Sequence, residues 1–566
     1  MEDVVPDGNR RRDSVILVGI TGVMLVMTGL VYAPAEVPIV DDWTYAWSVE
    51  HFLHTGELRI LDWSAHYPLV QILWGALFSR LWGYSFIVLR LSTLVLAWAG
   101  LLAFFVTLRE LGIQRVLAGL GTLVLWCNPV FFVLSYSFMT DVPFVSVMNA
   151  AILCYVRWVK RGSIWDLGLG SVAALLAFLI RQPGAALALV PVGYLLLAPV
   201  GGRQRHSLPW SQRLCLLIPF LGMGLTLWWI KAVHGETRAY LEKAQMLRLI
   251  FAISGWVYVR ELLHALLHLG LVLWPLVWTA FGRLSTRTLI GASAVMAGLS
   301  SLVLWKGSGL QSSFGHPLPH PLGIMLTWDE LGLARALMAG QIAHRQLPPW
   351  GQAVVLGVSL SAALGLAAAL WDRLRHWPYG RRNPDTVLLL HGLLQSLLFE
   401  ALWLYYDRYY LPLLPTFTAL LLSRLRPTKV VIMVGMAGVL LWGAVAVTGT
   451  VDQFRYTLTV VEARDWLLHR GVAAAHIDAG YALNGWWLYA HAPTGPPSRG
   501  REPDVPLVTS LSSLPYKIAN IPEPLYAVVR SFRRDMLWAT SDTVYVLEHT
   551  AIREHWGLPS LREQEP

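Results

Sequence analysis

Five charged residues stand at the edges of apolar runs, where they could do chemistry. Asp41 and Asp42 are adjacent in Val40-Asp41-Asp42-Trp43-Thr44-Tyr45-Ala46, and Asp141 lies in Thr140-Asp141-Val142-Pro143. Arg181 interrupts Leu179-Ile180-Arg181-Gln182-Pro183, and Arg408 sits in Tyr405-Tyr406-Asp407-Arg408-Tyr409-Tyr410. Two neighbouring carboxylates at a membrane surface repel each other and lose hydration, which lifts one toward the range of a general base. Helix capping is the alternative for Asp41, Asp42 and Asp141. A guanidinium at a membrane edge can hold a phosphate through paired donors, or simply snorkel or pair with a carboxylate such as Asp407. His66, in Ala65-His66-Tyr67-Pro68-Leu69, is a weaker candidate. Glu261, His264 and His268 share a helical stripe and have ligand types suited to zinc or another divalent cation, whereas His316 and His320 read as solvated loop residues.

The elements that must position these residues follow from composition. Of 566 residues 55% are hydrophobic and 14% charged, against about 25% charged in soluble domains. That excludes a soluble enzyme. Many of the 27 Trp lie at the ends of apolar runs, where rings anchor at the headgroup level. The formal charge of +9 is what cytoplasmic Lys and Arg produce in a membrane protein, so nucleic acid is not expected as a partner. Cys127, Cys154 and Cys215 show no CxxC spacing and read as inert core thiols.

Apolar runs punctuated by Gly, Pro and charge give about 13 spans. They start near Val15, Ser85, Arg115, Val142, Ile164, Pro183, Gln212, Glu261, Thr286, Pro349, Asp385, Tyr409 and Lys429. The pair flanking Pro183 reads as two spans or as one kinked helix. The run from Val15 to Tyr32 follows Arg10 to Arg12 but no A-x-A-like cleavage site follows it, so it reads as an uncleaved span. Every second junction is basic: Arg10 to Arg12, Arg109 and Arg115, Lys160 and Arg161, Arg203 and Arg205, Arg283 and Arg287, Arg373 to Arg382, and Arg424 to Lys429. The positive-inside rule makes these junctions cytoplasmic. Loops 34–84, 233–260 and 306–348 then face outward, and Asp41, Asp42, Asp141, Arg181 and Arg408 share that outer face. In the first loop, Trp43, Ala46, Trp47 and Leu53 fall near helical spacing and predict an amphipathic helix lying in the interface.

Residues 451–566 lack a run long enough to span and are rich in Pro, Arg, Asp and Glu. An amphipathic helix around Val461 to His469 and short apolar stretches such as Tyr526 to Val529 and Thr543 to Leu547 predict a small mixed α/β domain. Its Trp486-Trp487 pair could stack on a sugar ring or pack in a core. No repeat of 20 to 50 residues is evident. Acids and cations converging on one face would deprotonate an acceptor while holding an anionic leaving group, or bind an anion for transport.

In order and spacing these motifs resemble the GT-C glycosyltransferases, in particular bacterial aminoarabinose transferases and protein O-mannosyltransferases, over roughly residues 15–450. The resemblance rests on the acidic pair after the first span, Asp41-Asp42-Trp43-Thr44-Tyr45-Ala46, and on the second acidic motif at Asp141. It is extended by the basic residue before Pro183 and by Arg408-Tyr409-Tyr410-Leu411-Pro412-Leu413-Leu414-Pro415. It implies an all-α polytopic membrane protein with a transmembrane catalytic domain at 1–450, bearing interfacial helices in the first outer loop, and an extracytoplasmic α/β domain at 451–566. It further implies that Asp41 activates the acceptor, helped by Asp42 and supported by Asp141. Arg181, Arg408, His66 and Tyr409 would face the phosphate of a polyprenyl-phosphate sugar, where cations stabilise the departing charge.

The acceptor would be an envelope glycan, lipid or protein, and the setting the inner membrane of a bacterium, with the N-terminus cytoplasmic and membrane lipid around the spans. Ala65-His66-Tyr67-Pro68-Leu69 stands where aminoarabinose transferases carry Glu-Lys-Pro-Pro-Leu, so a carboxylate metal ligand is missing there while His66 can take over phosphate contact. Thr44 replaces a common arginine, so donor recognition is expected to differ, and no cofactor is required beyond room for a divalent cation. A transporter or flippase of lipid-linked sugars is the alternative from another class.

Overall fold

The structure is a computed structural model. It describes residues 7–31, 35–197, 209–248, 255–280, 285–291, 349–375, 383–400, 407–491, 514–535 and 543–555, with short pieces at 293–294, 298, 328–329, 332–333, 537, 557 and 561. His316, His320, Arg203, Arg205, Arg283 and most of the loop 306–348 lie outside the described residues, as does much of the run expected from Thr286.

The described chain is predominantly helical. In order come α1 (Asp7–Val31), α2 (Asp42–Thr55), α3 (Leu69–Trp82), α4 (Phe86–Glu110), α5 (Arg115–Trp126), α6 (Pro129–Ser135), α7 (Asp141–Arg161), α8 (Ile164–Ile180) and α9 (Ala185–Leu197). They are followed by α10 (Trp210–Trp229), α11 (Arg238–Arg248), α12 (Gly255–Ala280), α13 (Pro349–Arg375), α14 (Asp385–Glu400), α15 (Leu413–Leu422) and α16 (Lys429–His469). Among the described residues seven helices are long and apolar enough to cross a membrane: α1, α4, α7, α10, α12, α13 and α16. The pair α5–α6, bent by 67°, makes an eighth if taken as one broken span, and α3, α8, α9, α14 and α15 are shorter apolar helices. This is an integral membrane protein.

Large apolar side chains on the outside of the bundle, such as Val18, Leu225, Leu440 and Met433, are what a lipid-facing surface requires. Inside, α4 packs on α7 and α7 on α8, while α12 packs on α13. The first basic junctions are tied by acidic residues. Arg109 and Arg115 pair with Asp13 at 3.1 and 3.7 Å, and Arg157, Lys160 and Arg161 all reach Glu110. Asp141 begins α7 and Arg161 ends it, so the site candidate and the basic cluster lie at opposite ends of the same helix.

The chain breaks where the sequence expects one at Pro183. α8 stops at Ile180, Arg181 is extended, and a tight turn over Gln182–Gly184 leads into α9. A Cβ on Gly184 would stand 2.4 Å from the backbone nitrogen of Phe178, so this turn needs glycine. Two helices rather than one kinked helix therefore flank Pro183.

The predicted amphipathic helix forms, as α2, with its first two turns enclosed and its end exposed. Asp42 through Val49 are all buried, because residues of the C-terminal region cover the face that periodicity would leave to solvent. Trp43 meets Tyr481 and Tyr489 edge-on at 6.1 and 5.8 Å. A Cβ on Gly485 would collide with the Trp43 ring at 2.4 Å, so the two segments approach as closely as a bare backbone allows.

Beyond α16 the chain forms a four-stranded sheet. After a two-residue antiparallel pairing of β1 (Trp328–Asp329) with β2 (Gly332–Leu333), the sheet comprises β3 (Ile477–Asp478), β4 (Tyr516–Ala519), β5 (Ala527–Arg533) and β6 (Thr543–Glu548) in the order β3-β4-β6-β5. β3 and β4 run parallel and the other pairs antiparallel. α16 carries the chain without interruption through residue 450 and braces this sheet, with Asp452 accepting from the Leu537 amide at 2.7 Å. Trp486 packs edge-on against Phe86 at 5.0 Å, and Arg464 lies 3.5 Å above the Trp487 ring, so both indoles already have protein partners.

Candidate active site

Asp41 is the N-cap residue of α2, yet its carboxylate makes no capping bond. Instead its Oδ1 accepts from the Tyr481 hydroxyl at 2.7 Å and its Oδ2 from an Arg408 guanidinium nitrogen at 3.0 Å. The Trp63 indole N–H in turn donates to the Tyr481 oxygen at 2.7 Å. With 27% of its side chain exposed, Asp41 is the open carboxylate of the group; that of Asp141 is 2% exposed.

Asp42 is wholly enclosed. Its Oδ1 accepts from the Ile39 amide at 2.6 Å and its Oδ2 from the Phe138 amide at 3.3 Å, tying the first loop to the start of α7. Burial pushes its carboxyl up to about 7, against the pull of Arg90 and the two amides. The rise in pKa expected for one member of the pair therefore falls on Asp42, while access to solvent falls on Asp41. Val40, immediately before them, is a buried β-branched residue at φ 57°, a conformation that strains its Cβ.

Asp141 forms a buried ion pair with Arg181. The two ion pairs meet at one aromatic ring, because the Arg181 and Arg408 guanidinium carbons lie 5.2 and 5.9 Å from the Tyr409 centroid. The Asp407 carboxylate accepts from the Arg408 backbone amide at 2.7 Å and so shapes the turn Asp407–Tyr410. His66 joins the edge of the group through Gln182, its Nδ1 lying 3.1 Å from Oε1. The structure thus brings Asp41, Asp42, Asp141, Arg181, Arg408, Tyr409 and His66 to one locality from five stretches of chain.

Tyr45, Trp63, Gln182, Tyr481 and Arg90 belong to this locality and were missed by the reading of residue types. Burial, and next the charge of Asp41, hold the phenols of Tyr45 and Tyr481 far above their ordinary value, so both stay protonated donors. Arg90 is buried and donates to the Ala35 and Val37 carbonyls, fixing the strand of chain that enters Asp41. It was detectable, as a guanidinium inside an apolar run like Arg181.

Of the stripe of Glu261, His264 and His268, the Glu261 side chain lies outside the described residues, and His264 and His268 are buried. His268 stacks on Tyr410 at 4.9 Å, and among the described residues no three His, Cys, Asp or Glu side chains are placed to hold a metal ion.

Residues 66–229 match the family described as dolichyl-phosphate-mannose-protein mannosyltransferase. Among solved structures, the chain is similar to ArnT from Cupriavidus metallidurans bound to undecaprenyl phosphate, with 14% identity and a TM-score of 0.39 over 94% of this chain and 98% of that one. It is also similar to the oligosaccharyltransferase AglB from Archaeoglobus fulgidus in complex with an inhibitory peptide and a dolichol-phosphate (14% identity, TM-score 0.39, 87% of this chain and 62% of that one). The arabinosyltransferase EmbB from Mycobacterium smegmatis matches at 14% identity and a TM-score of 0.36 over 71% of this chain and 42% of that one. No curated protein sequence matches the chain. With the matched segment containing His66, Asp141 and Arg181, and the acidic pair preceding it, the chain resembles the GT-C glycosyltransferases.

Proposed function

We propose that this protein transfers a hexosyl or pentosyl group from a polyprenyl-phosphate donor to a hydroxyl acceptor on the outer face of a bacterial plasma membrane. The observation that carries the reading is the pairing of an accessible carboxylate, Asp41, with two guanidinium groups that share the Tyr409 ring. The acceptor oxygen attacks the anomeric carbon and its proton passes to Asp41. The bond from that carbon to the phosphate oxygen breaks, and the electron pair leaves with the polyprenyl phosphate. Arg408 and Arg181 stabilise the charge that develops on the phosphate, which is the larger electrostatic task in such a displacement. Asp141 holds Arg181 in place, Tyr409 spaces the two cations, and His66 contacts the phosphate from the side of Gln182. Asp42 serves by clamping two backbone amides rather than by meeting substrate.

In this reading residues 1–450 are the catalytic membrane domain and 451–566 an extracytoplasmic domain, with the N-terminus cytoplasmic. The family match over 66–229 supports the donor class, since that family's description names a dolichyl-phosphate sugar. The test uses the full chain in proteoliposomes with labelled polyprenyl-phosphate sugars and a crude envelope extract. Release of free polyprenyl phosphate with label passing to an envelope component, lost in Asp41→Asn, is the expected result. Donor crossing the bilayer uncleaved would replace this reading with that of a flippase.

A further inference from the structure

Beside the carboxylate site lies a cavity of 430 Å³, within the usual range of small-molecule sites of about 300–1,000 Å³. Its walls come from α2, the segment 57–62, the end of α10 and the segment that leads into α11. We infer that this cavity holds a sugar ring of the acceptor, so that the acceptor is a glycan; the inference rests on the transfer reading above and names its substrate class.

Two indoles and three carboxylates define the chemistry. Trp47 is fixed by stacking on His51 at 5.0 Å, and Trp229 by packing on His234 at 5.0 Å. Rings held in this way offer flat apolar faces to the C–H side of a pyranose. Glu57, Asp62 and Glu236 line the same space against one guanidinium, Arg59, so acceptors of hydrogen bonds predominate, as a ring of hydroxyl donors requires.

Asp62 is the most telling of these. Its Oδ1 accepts from the Arg238 amide at 2.9 Å and anchors the start of α11, whereas its buried Oδ2 has no hydrogen-bond partner. A buried carboxylate oxygen left unmatched is costly, and a ligand hydroxyl that reaches it as the cavity wall adjusts removes that cost. The His234 ring is already committed, with Nε2 accepting from the Ile60 amide at 2.9 Å and Nδ1 donating to the Gly235 carbonyl at 2.7 Å, so it shapes the wall and takes no part in recognition.

The cavity is coupled to the reacting carboxylate. Trp63 directly follows Asp62, and its indole donates to the Tyr481 hydroxyl that donates to Asp41. A ring seated against Asp62 and Trp47 is thus one residue removed, at Trp63, from the hydrogen bonds that reach Asp41.

The experiment presents an array of glucose-, mannose-, rhamnose- and N-acetylglucosamine-containing oligosaccharides to the full chain in nanodiscs. Asp62→Asn and Trp229→Ala run beside it, thermal melting reports folding, and undecaprenyl phosphate binding serves as a separate readout. Retention of at least one oligosaccharide, weakened tenfold or more in both variants while undecaprenyl phosphate still binds, is the expected result. Asp62→Asn keeps the oxygen that accepts from Arg238, so it carries the test if Trp229→Ala does not fold. No retained oligosaccharide, unchanged retention in Asp62→Asn, or preferential retention of a lysine hexapeptide would each overturn the inference. Donor cleavage is measured separately: glycan retained without cleavage defeats the transfer reading alone, and cleavage without retention defeats the cavity assignment alone.

Discussion

The Tyr481 hydroxyl donates to Asp41 across 440 residues of sequence. The carboxylate at the start of α2 is therefore oriented by a side chain from beyond the last membrane helix. Tyr481→Phe removes one charge-assisted hydrogen bond, worth about 1.5–3 kcal/mol. The expected outcome is a fall in kcat of roughly tenfold with the KM for donor little changed, because Tyr481 acts through Asp41 and touches no donor-binding cation. Steady-state kinetics with varied donor separates this from a general loss of folding.

Asp41→Asn keeps the volume and one acceptor for Tyr481 but cannot take a proton. Loss of a general base typically costs about 10²–10⁴ in rate, so transfer is expected to fall at least a hundredfold. Donor binding, measured with labelled lipid, is expected to persist.

Asp141 and Arg181 test differently, because both are buried. Removing one partner leaves an uncompensated charge, at a cost of about 3–5 kcal/mol. Asp141→Ala and Arg181→Ala are each expected to lower the thermal midpoint markedly, and the double variant to be less destabilised than the sum. A double-mutant cycle by thermal melting in detergent gives the coupling directly; strict additivity would show that the pair contributes nothing.

Asp42 predicts a pH dependence of stability. Its folded carboxyl is raised to about 7 by burial, so the folded state holds a proton that the unfolded chain releases near pH 4. Its contribution opposes folding increasingly as pH rises from about 4 to 7 and is constant above that, a penalty on the order of a few kcal/mol. Asp42→Asn should be flatter over this window than the parent protein, whatever its offset, when melting is followed against pH. An identical slope in both would remove the assignment.

Gly485→Ala should disturb the site from outside it. The added methyl meets the Trp43 ring, so the turn bearing Tyr481 has to shift while the membrane helices keep their packing. Transfer is expected to drop tenfold or more with helical content unchanged by circular dichroism.

Much of the site was legible because charge is conspicuous in an apolar chain. Asp41, Asp141, Arg181 and Arg408 each interrupt or border a hydrophobic run, and alternating basic junctions place them on one face. At Pro183 the sequence left a break and a kink as alternatives, and the turn over Gln182–Gly184 decides for the break. Tyr481 and Trp63 were not, because polar aromatics are common at membrane edges and only the fold joins segments so distant in sequence. For the same reason the enclosure of the first two turns of α2 was not legible, because periodicity cannot register a second segment that covers a helix. The family resemblance singled out Asp41, but residue type alone did not say which of the two carboxylates is enclosed, and the Ile39 and Phe138 amides show that it is Asp42.

The 41 residues of α16 make a rod of about 60 Å at 1.5 Å per residue, roughly twice the hydrocarbon thickness of a bilayer. A rod without a joint transmits rotation as well as distance. Each residue turns a helix by about 100°, so one residue added near its midpoint would swing the sheet, and the Tyr481 turn between β3 and β4, about a quarter of a circle around Asp41. The length of this helix acts as a ruler and a key at once: it sets how far the sheet stands from the helix bundle and the one azimuth at which Tyr481 can reach Asp41.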